Sequence, residues 1–297
     1  MRVLVTGANG LLGQKLCELL DHEPEVTLIA TSRGQQRVKL DNGSFRSLDV
    51  TQQGQVERLF DEVCPDVVIH TAAMTQVDQC ETEREACWLN NVTAVGFVAA
   101  ACERSQSHLI HLSTDFVFDG SEGPLDELAL PNPISHYGSS KLAAEEKVKQ
   151  LKTPWTIIRT VLVFGVTNDQ SRSNIVLWVK NSLEAGKIIR VVSDQWRTPT
   201  LAEDLATGCW LAARKKATGI FHISGSEMMT PYDIALRTAE HFGLDKSLIQ
   251  ETNSKEFRQP AARPLKTGFI IEKAQRELGY RPHTFNEGLA IVAAQLT

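Results

Sequence analysis

A tyrosine, a lysine and a threonine have the types and spacing needed to move a proton. Tyr137 and Lys141 lie four residues apart in His-Tyr-Gly-Ser-Ser-Lys, which places both side chains on one face of a helix. An ammonium beside a phenol favours the phenolate, so we expect Lys141 to lower the pKa of Tyr137 from its reference of roughly 10. Thr114 precedes this helix, and its hydroxyl can hold a reacting oxygen. The trio predicts acid–base chemistry on an alcohol oxygen.

A glycine-rich turn near the start of the chain has the pattern of a dinucleotide-binding site. Residues 2–6 form a short apolar run, Gly-Ala-Asn-Gly-Leu-Leu-Gly follows, and a helical pattern comes next. Strand, glycine-rich turn and helix form the phosphate-binding unit of dinucleotide sites, where the helix N-terminus faces the pyrophosphate. The alternative is an ordinary strand-to-helix turn that binds no phosphate. The predicted cofactor contacts in this turn are Gly7, Gly10, Leu11, Leu12 and Gly13.

Regular alternation of strand and helix patterns positions these groups. Strand patterns recur at 26–30, 45–48, 67–70, 109–112 and 156–159, with helical patterns between them at 53–63, 83–102 and 139–151. Buried strands that alternate with helices predict an α/β fold with a doubly wound parallel sheet, the Rossmann arrangement. We expect residues 1–165 to form the dinucleotide-binding domain. Residues 166–297 are expected to form a smaller, partly interleaved substrate lobe, with some segments returning to the first domain.

The end of the second strand favours NADP(H), with NAD(H) as the alternative. An acidic residue usually binds the ribose 2′-hydroxyl of NAD at this place, but the first acid after it is Asp41. Ser32 and Arg33 suit a 2′-phosphate instead. The alternative is that Arg33 is a solvent-exposed arginine that binds no ligand. Further cofactor contacts are predicted at the ends of later strands, together with Tyr137 and Lys141: Asp49, Val50, Thr71, Ala72, Ala73 and Leu112.

Composition excludes several classes of protein. The chain of 297 residues is 42% apolar and 23% charged, with a formal charge of −5, which argues against nucleic acid or an anionic membrane as a partner. A strand pattern starts at residue 1 or 2 and leaves no room for a signal peptide, so we expect a cytoplasmic protein.

The six cysteines form no Cys-x-x-Cys pair and are expected to be buried thiols. A Cys80–Cys87 disulfide is not expected, because a seven-residue spacing on one helix separates the α-carbons by about 10 Å.

Five segments resemble the dTDP-4-dehydrorhamnose reductase family of extended short-chain dehydrogenase/reductases. They lie at 7–13, 72–78, 112–120, 137–141 and 194–200, and Ser-Thr-Asp-Phe-Val-Phe-Asp-Gly within the third is the most specific. The resemblance implies NAD(P)H-dependent reduction of the 4-keto group of a nucleotide-linked deoxysugar. It implies Tyr137 as the proton donor, Lys141 as its partner, Thr114 as the active-site hydroxyl and Asp115 as a substrate contact. No metal ligand set with a recognised spacing occurs, and no catalytic metal is expected.

One departure from the family concerns the sugar. Leu162 stands where the family commonly has a tryptophan that contacts the sugar, and leucine offers no indole N–H. The identity of the deoxyhexose is therefore open. The substrate's diphosphate needs cationic partners, for which we expect about two of four basic residues: Arg197, Arg258, Arg263 and Lys266.

Two other functions stay open. One is a nucleotide-sugar epimerase or dehydrogenase of the same superfamily that retains NAD; a dehydratase is disfavoured because Phe116, not Glu, follows Asp115. The other is a non-catalytic NADP-binding regulatory subunit like that of methionine adenosyltransferase, because fold resemblance alone fixes no function. The sequence also leaves open whether the chain forms a homodimer.

Overall fold

The main sheet of the protein is parallel and has seven strands. The computed structural model describes residues 1–168, 173–256 and 259–297. The strands are β1 Arg2–Thr6, β2 Thr27–Ser32, β3 Ser44–Ser47, β4 Val67–His70, β5 His108–Thr114, β6 Trp155–Thr160, β7 Val163–Phe164, β8 Ile189–Val192, β9 Thr200–Leu201, β10 Gly219–His222 and β11 Ile249–Thr252.

The order of the strands creates a crevice beside β1. The order is β10-β6-β5-β4-β1-β2-β3, and every neighbouring pair is parallel. The chain runs outward from β1 in both directions, so the order reverses between β1 and β4. Ligands of such sheets bind at the carboxyl ends of the strands at this reversal. The predicted doubly wound α/β class is confirmed.

Helices cover both faces of the sheet. They are α1 Leu11–Leu20, α2 Gln53–Val63, α3 Val77–Thr82, α4 Arg84–Trp88, α5 Ala94–Ser105, α6 His136–Lys149, α7 Ile175–Glu184, α8 Ala202–Arg214, α9 Pro231–His241 and α10 Phe285–Leu296. Successive side chains of β1 point to opposite faces. Val3 and Val5 therefore pack with α1 and α8, while Leu4 packs with α2 and α5.

Part of the C-terminal half of the chain forms a small core of its own, and part of it extends the main sheet and the large core. The β8–β11 pair packs against α7 and α9 and forms a separate small core. In contrast, β10 extends the main sheet beside β6, and α8 packs across α1 in the large core. Within the described ranges, no helix is long and apolar enough to cross a membrane.

The predicted helix at 83–102 is interrupted in the structure. Glu83 has non-helical backbone angles and separates α3 from α4, and a π-helical turn at Leu89–Thr93 separates α4 from α5. The seven-residue spacing of Cys80 and Cys87 therefore does not lie on one helix, and that premise of the sequence argument is wrong. Both thiols are free, as expected.

Candidate active site

A cavity of about 430 Å³ opens at the carboxyl ends of β1, β4 and β5. It brings together residues that are distant in the sequence, from the glycine turn, from the ends of two strands, from α6 and from the second half of the chain. The sequence-predicted residues that line it are Gly10, Leu11, Leu12, Gly13, Thr71, Ala73, Leu112, Thr114, Asp115, Tyr137, Lys141, Leu162 and Arg197.

The glycine turn has the shape of a phosphate cradle. Gly7 has a φ of +75°, and an added Cβ would lie 2.7 Å from Thr71 Oγ1 and 2.8 Å from Ala72 N. A Cβ on Gly13 would overlap the Gly7 carbonyl oxygen, so α1 can pack on β1 only without a side chain there. Gly10 caps α1 without a side-chain hydrogen bond. The first N–H groups of α1 are therefore available to an anion in the cavity.

Tyr137 and Lys141 share one buried face of α6. The helix begins at His136 after Ser135, whose hydroxyl accepts a hydrogen bond from Gly138 N at 3.1 Å. Tyr137 is 8% exposed and Lys141 3% exposed. Lys141 Nζ donates to the Leu112 carbonyl oxygen at 2.6 Å, which fixes the ammonium at the end of β5. Burial lowers the pKa of Lys141 to about 8.

The expected lowering of the Tyr137 pKa is wrong. Burial is the largest influence and raises the pKa of Tyr137 above its ordinary value, because a phenolate loses its hydration in an enclosed site. The Thr114 hydroxyl acts in the opposite direction, and the Asp115 carboxylate raises the pKa further. The Lys141 ammonium is directed at the Leu112 carbonyl oxygen.

Thr114 is held between the backbone and a buried carboxylate. It caps the 3-10 turn Asp115–Val117, and its Oγ1 accepts from Phe116 N at 3.2 Å. The same hydroxyl donates to Asp115 Oδ1 at 3.0 Å. Burial raises the pKa of Asp115, while Arg197, Thr267 and Thr114 act to lower it. Thr114, Tyr137 and Lys141, the predicted trio, thus all line the same cavity.

The cofactor contacts predicted at the ends of β2 and β3 lie outside the cavity wall. Ser32 ends β2 and accepts a hydrogen bond from Leu48 N on its carbonyl oxygen at 3.0 Å, and Arg33 beside it is exposed. Asp49 Oδ1 accepts from Thr51 N at 3.0 Å and from Thr51 Oγ1 at 2.7 Å. The Asp49 carboxylate therefore stabilises the turn at residues 49–51. Gly7, Val50 and Ala72 do not line the cavity either.

The four basic residues predicted to bind a diphosphate differ in position. Arg197 lines the cavity. Arg263 lies outside its wall and forms a two-pronged pair with Asp78, at 3.0 Å from Nη1 to Oδ1 and 2.8 Å from Nη2 to Oδ2. Lys266 is exposed, and its backbone N donates to Gly120 O at 3.1 Å. Arg258 lies outside the described residues.

Leu162 lines the cavity in an unusual backbone conformation. Its φ is +39°, in the left-handed region that leucine rarely adopts. Its carbonyl oxygen accepts from Thr200 N at 3.2 Å, which ties the turn after β6 to β9. An apolar side chain thus occupies the position where the family commonly presents an indole.

Asn174 and His70 also line the cavity and were not among the predicted site residues. Asn174 caps α7 by accepting from Leu177 N at 3.3 Å and donates to the Gly165 carbonyl oxygen at 2.7 Å. An asparagine directly before a helical pattern is a recognisable N-cap signal. His70 is buried, and burial lowers its pKa to about 3, so its ring is neutral.

Cys80 and Cys87 pack against the phenol. Both are fully buried and belong to one cluster with Tyr137. Cys87 Sγ lies 3.4 Å from Asn91 Nδ2 and 3.4 Å from Ser140 Oγ. Contact with the Cys80 thiol is the largest influence on Cys87 and lowers its pKa to about 6. The break in the helix at Glu83 accompanies this contact between the two thiols.

Comparison with known proteins agrees with the geometry. The family model of the RmlD substrate binding domain matches residues 1–297. A probable low-salt glycan biosynthesis reductase of Haloferax volcanii is 33% identical over 99% of this chain and 98% of its own. Methionine adenosyltransferase 2 subunit beta of Xenopus laevis is 32% identical over 84% of this chain and 74% of its own.

A solved structure extends the comparison to three dimensions. The dTDP-4-dehydrorhamnose reductase of Bacillus anthracis, in complex with NADP, is 29% identical, covers 99% of each chain and has a TM-score of 0.86. The sequence segments, the family model and the fold therefore all indicate the same family. The chain belongs to the RmlD family, that of the dTDP-4-dehydrorhamnose reductases.

Proposed function

We propose that this protein uses NADPH to reduce the 4-keto group of a nucleotide-linked deoxysugar. The observation that carries the proposal is the convergence of Thr114, Tyr137 and Lys141 on one cavity that also contains the glycine turn. Several relatives are named as reductases, including dTDP-4-dehydrorhamnose reductases. The trio supplies acid–base groups, and the turn supplies a place for a dinucleotide.

The residues around the glycine turn fit a dinucleotide. A Cβ would fill the space at Gly7 and Gly13, and the N-terminus of α1, which has no side-chain cap, suits a pyrophosphate. NADP(H) is favoured over NAD(H) because Arg33 follows β2 and no acidic residue lies between the end of β2 and Asp41. When bound, NADPH supplies a hydride. Lys141, whose Nζ lies at Leu112 O, would hold the hydroxyls of the nicotinamide ribose.

The raised pKa of Tyr137 suits the direction of the reaction. A phenol with a pKa above its ordinary value stays protonated at neutral pH, so it can donate a proton to the oxygen on which charge develops. Thr114 Oγ1, whose own proton is donated to Asp115, would accept a hydrogen bond from the alcohol that forms there and fix its position. Lys141, with a pKa of about 8, is mostly cationic at neutral pH and favours the phenolate that remains.

The sugar site combines an apolar and a polar side. Leu162 would pack on a face of the sugar, and Asp115 is the proposed polar contact. Of the basic residues, Arg263 can meet a diphosphate only by sharing or leaving Asp78. The absence of an indole at position 162 leaves the hydroxyl pattern of the hexose open.

A panel of nucleotide-linked 4-keto-6-deoxy sugars tests the proposal directly. Purified protein is incubated with each sugar and with NADPH or NADH, and the consumption of reduced cofactor is followed by absorbance. We expect turnover with at least one sugar and faster turnover with NADPH. Consumption of neither cofactor with any member of the panel would contradict the reductase function.

A second function is favoured by one group of relatives. The similarity to the beta subunit of methionine adenosyltransferase 2 supports a regulatory role in which the same site binds NADP without turnover. Co-purification with a methionine adenosyltransferase catalytic subunit, together with no turnover on the panel, would support this alternative. Turnover on the panel without such an association would favour the reductase.

A further inference from the structure

Arg197 lines the cavity, yet its guanidinium is fully engaged by the protein. The side chain is about 5% exposed. The donors of the two Nη atoms face oxygens of the chain: Trp196 O at 2.8 Å, Leu265 O at 3.2 Å, Pro264 O at 2.6 Å and Gln195 Oε1 at 3.4 Å. Nε lies 3.5 Å from Asp115 Oδ2. A guanidinium has five N–H donors; those of the two Nη atoms bond to the chain, and Nε forms an ion pair with Asp115.

The carboxylate that faces Arg197 is the one that holds the active-site hydroxyl. Asp115 Oδ2 accepts from Thr267 Oγ1 at 2.5 Å, on the side of Arg197. Asp115 Oδ1 accepts from Thr114 Oγ1 at 3.0 Å. The Thr114 side chain in turn acts on the phenol of Tyr137. Contacts therefore run from Arg197 through Asp115 to Thr114, which lines the same cavity as Tyr137.

We propose that Arg197 is a positioning residue that fixes the Thr114 hydroxyl by holding Asp115 in place. This inference rests on the proposed reductase function. Asp115 is 2% exposed, and a buried carboxylate without a countercharge either takes up a proton or moves toward water. In both cases Thr114 loses the acceptor that sets its rotamer. Small displacements of a group that orients substrate can cost about 10²-fold in rate.

The same guanidinium also anchors the segment that carries the second ligand of Asp115. Pro264 and Leu265 accept from Arg197, and Thr267 lies two residues further on. Backbone bonds from Trp196 N to Leu265 O at 2.6 Å and from Thr267 N to Trp196 O at 3.1 Å complete the connection. Arg197 therefore contacts Asp115 Oδ2 directly and also anchors the segment that brings Thr267 to the same oxygen.

Kinetics of Arg197→Met on the best sugar of the panel test this inference. We expect kcat to fall by about 10²-fold, while KM for the sugar and Kd for NADPH change by less than about threefold. Arg197→Lys restores part of kcat, because an ammonium still faces Asp115. The control is Arg190→Met, which removes an exposed arginine paired with Glu256 in the second half of the chain and should leave kcat unchanged.

A double-mutant cycle separates positioning from general support of the fold. If Arg197 acts through Asp115, Arg197→Met adds little to the loss already caused by Asp115→Asn. Additive losses would overturn the inference. A raised KM for the sugar with an unchanged kcat would also overturn it, because that result indicates a ligand of the ground state. Should Arg197→Met fail to fold, Thr267→Val weakens the same oxygen's contacts without removing a charge, and kcat must still fall.

Failure of the inference differs from failure of the proposed function. Wild-type protein that reduces no sugar of the panel contradicts the function itself. In that case a crystal structure of Arg197→Met decides the inference, since it needs no substrate. We expect Asp115 to move away from Thr114 Oγ1; an intact hydrogen bond between them would overturn the positioning role.

Discussion

At the scale of single residues, burial governs the proton chemistry of the site. The phenol of Tyr137 loses hydration and its pKa rises, which keeps the proton in place until charge develops on a neighbouring oxygen. Burial acts on Lys141 in the opposite direction and lowers its pKa to about 8. Both shifts disfavour a charged form, and together they leave a neutral donor beside a cation at neutral pH.

The pH dependence of reduction tests this distribution of charge. As the pH rises, Lys141 loses its proton at about pH 8, before the phenol of Tyr137 ionises. We therefore expect kcat/KM for reduction to be flat near neutral pH and to fall above about pH 8. Lys141→Arg keeps a cation at this position, so its loss of kcat/KM should move to higher pH. A decline at the same pH in both proteins would exclude Lys141 as its origin.

At the scale of elements, a buried ion pair locks α6 to the sheet. Arg159 of β6 bonds to Glu145 of α6 through Nε at 2.9 Å and through Nη2 at 2.7 Å. Ser113 of β5 donates to the same carboxylate at 2.5 Å. Since Tyr137 and Lys141 lie on α6, this pair fixes the helix that presents both of them to the cavity.

Removal of one partner of this pair should be costly. Arg159 and Glu145 have side chains that are 1% and 0% exposed, and a buried charge left without its partner typically costs about 3–5 kcal/mol. We expect Arg159→Met to lower the free energy of unfolding by that amount in urea titrations. The matched control is Arg104→Met, whose exposed partner is Asp61 and whose loss should be below about 1 kcal/mol. Equal losses in the two variants would contradict the argument.

At the scale of the whole molecule, the cavity exists because distant parts of the chain meet. The glycine turn lies near residue 10, the helix that carries Tyr137 and Lys141 near residue 140, and the carbonyl groups that hold Arg197 at 264 and 265. Arg263 pairs with Asp78 across 185 residues of sequence. Ligand binding in the cavity should therefore stabilise the fold as a unit.

Thermal unfolding in the presence of cofactor tests this expectation and the choice of cofactor. A ligand that binds only the folded state at 100 times its Kd adds about 2.7 kcal/mol, so NADPH should raise Tm. NADH at the same concentration should raise it less, because it lacks the phosphate that Arg33 is expected to bind. Arg33→Ala should reduce the difference between the cofactors. An equal shift with both cofactors in the wild-type protein would argue against NADP(H) selectivity.

Local patterns predicted much of this architecture. Apolar runs separated by helical periods indicated β2 to β6, and the spacing of Tyr137 and Lys141 indicated their shared face. Properties set by long-range packing were not accessible in the same way. The raised pKa of Tyr137 depends on burial beside Cys80 and Cys87, and one carbonyl partner of Arg197, that of Pro264, lies 67 residues later in the sequence.

Transfer of deuterium from labelled NADPH tests the central claim most directly. The protein is given NADPH carrying deuterium at the transferable position of the nicotinamide, together with a nucleotide-linked 4-keto-6-deoxy sugar, and the product is analysed by mass spectrometry and NMR. We predict that the carbon of the former keto group gains the label, and that Tyr137→Phe binds NADPH normally but forms this product at least about 10²-fold more slowly. Unlabelled sugar with intact cofactor, or an unchanged rate in Tyr137→Phe, would contradict the account.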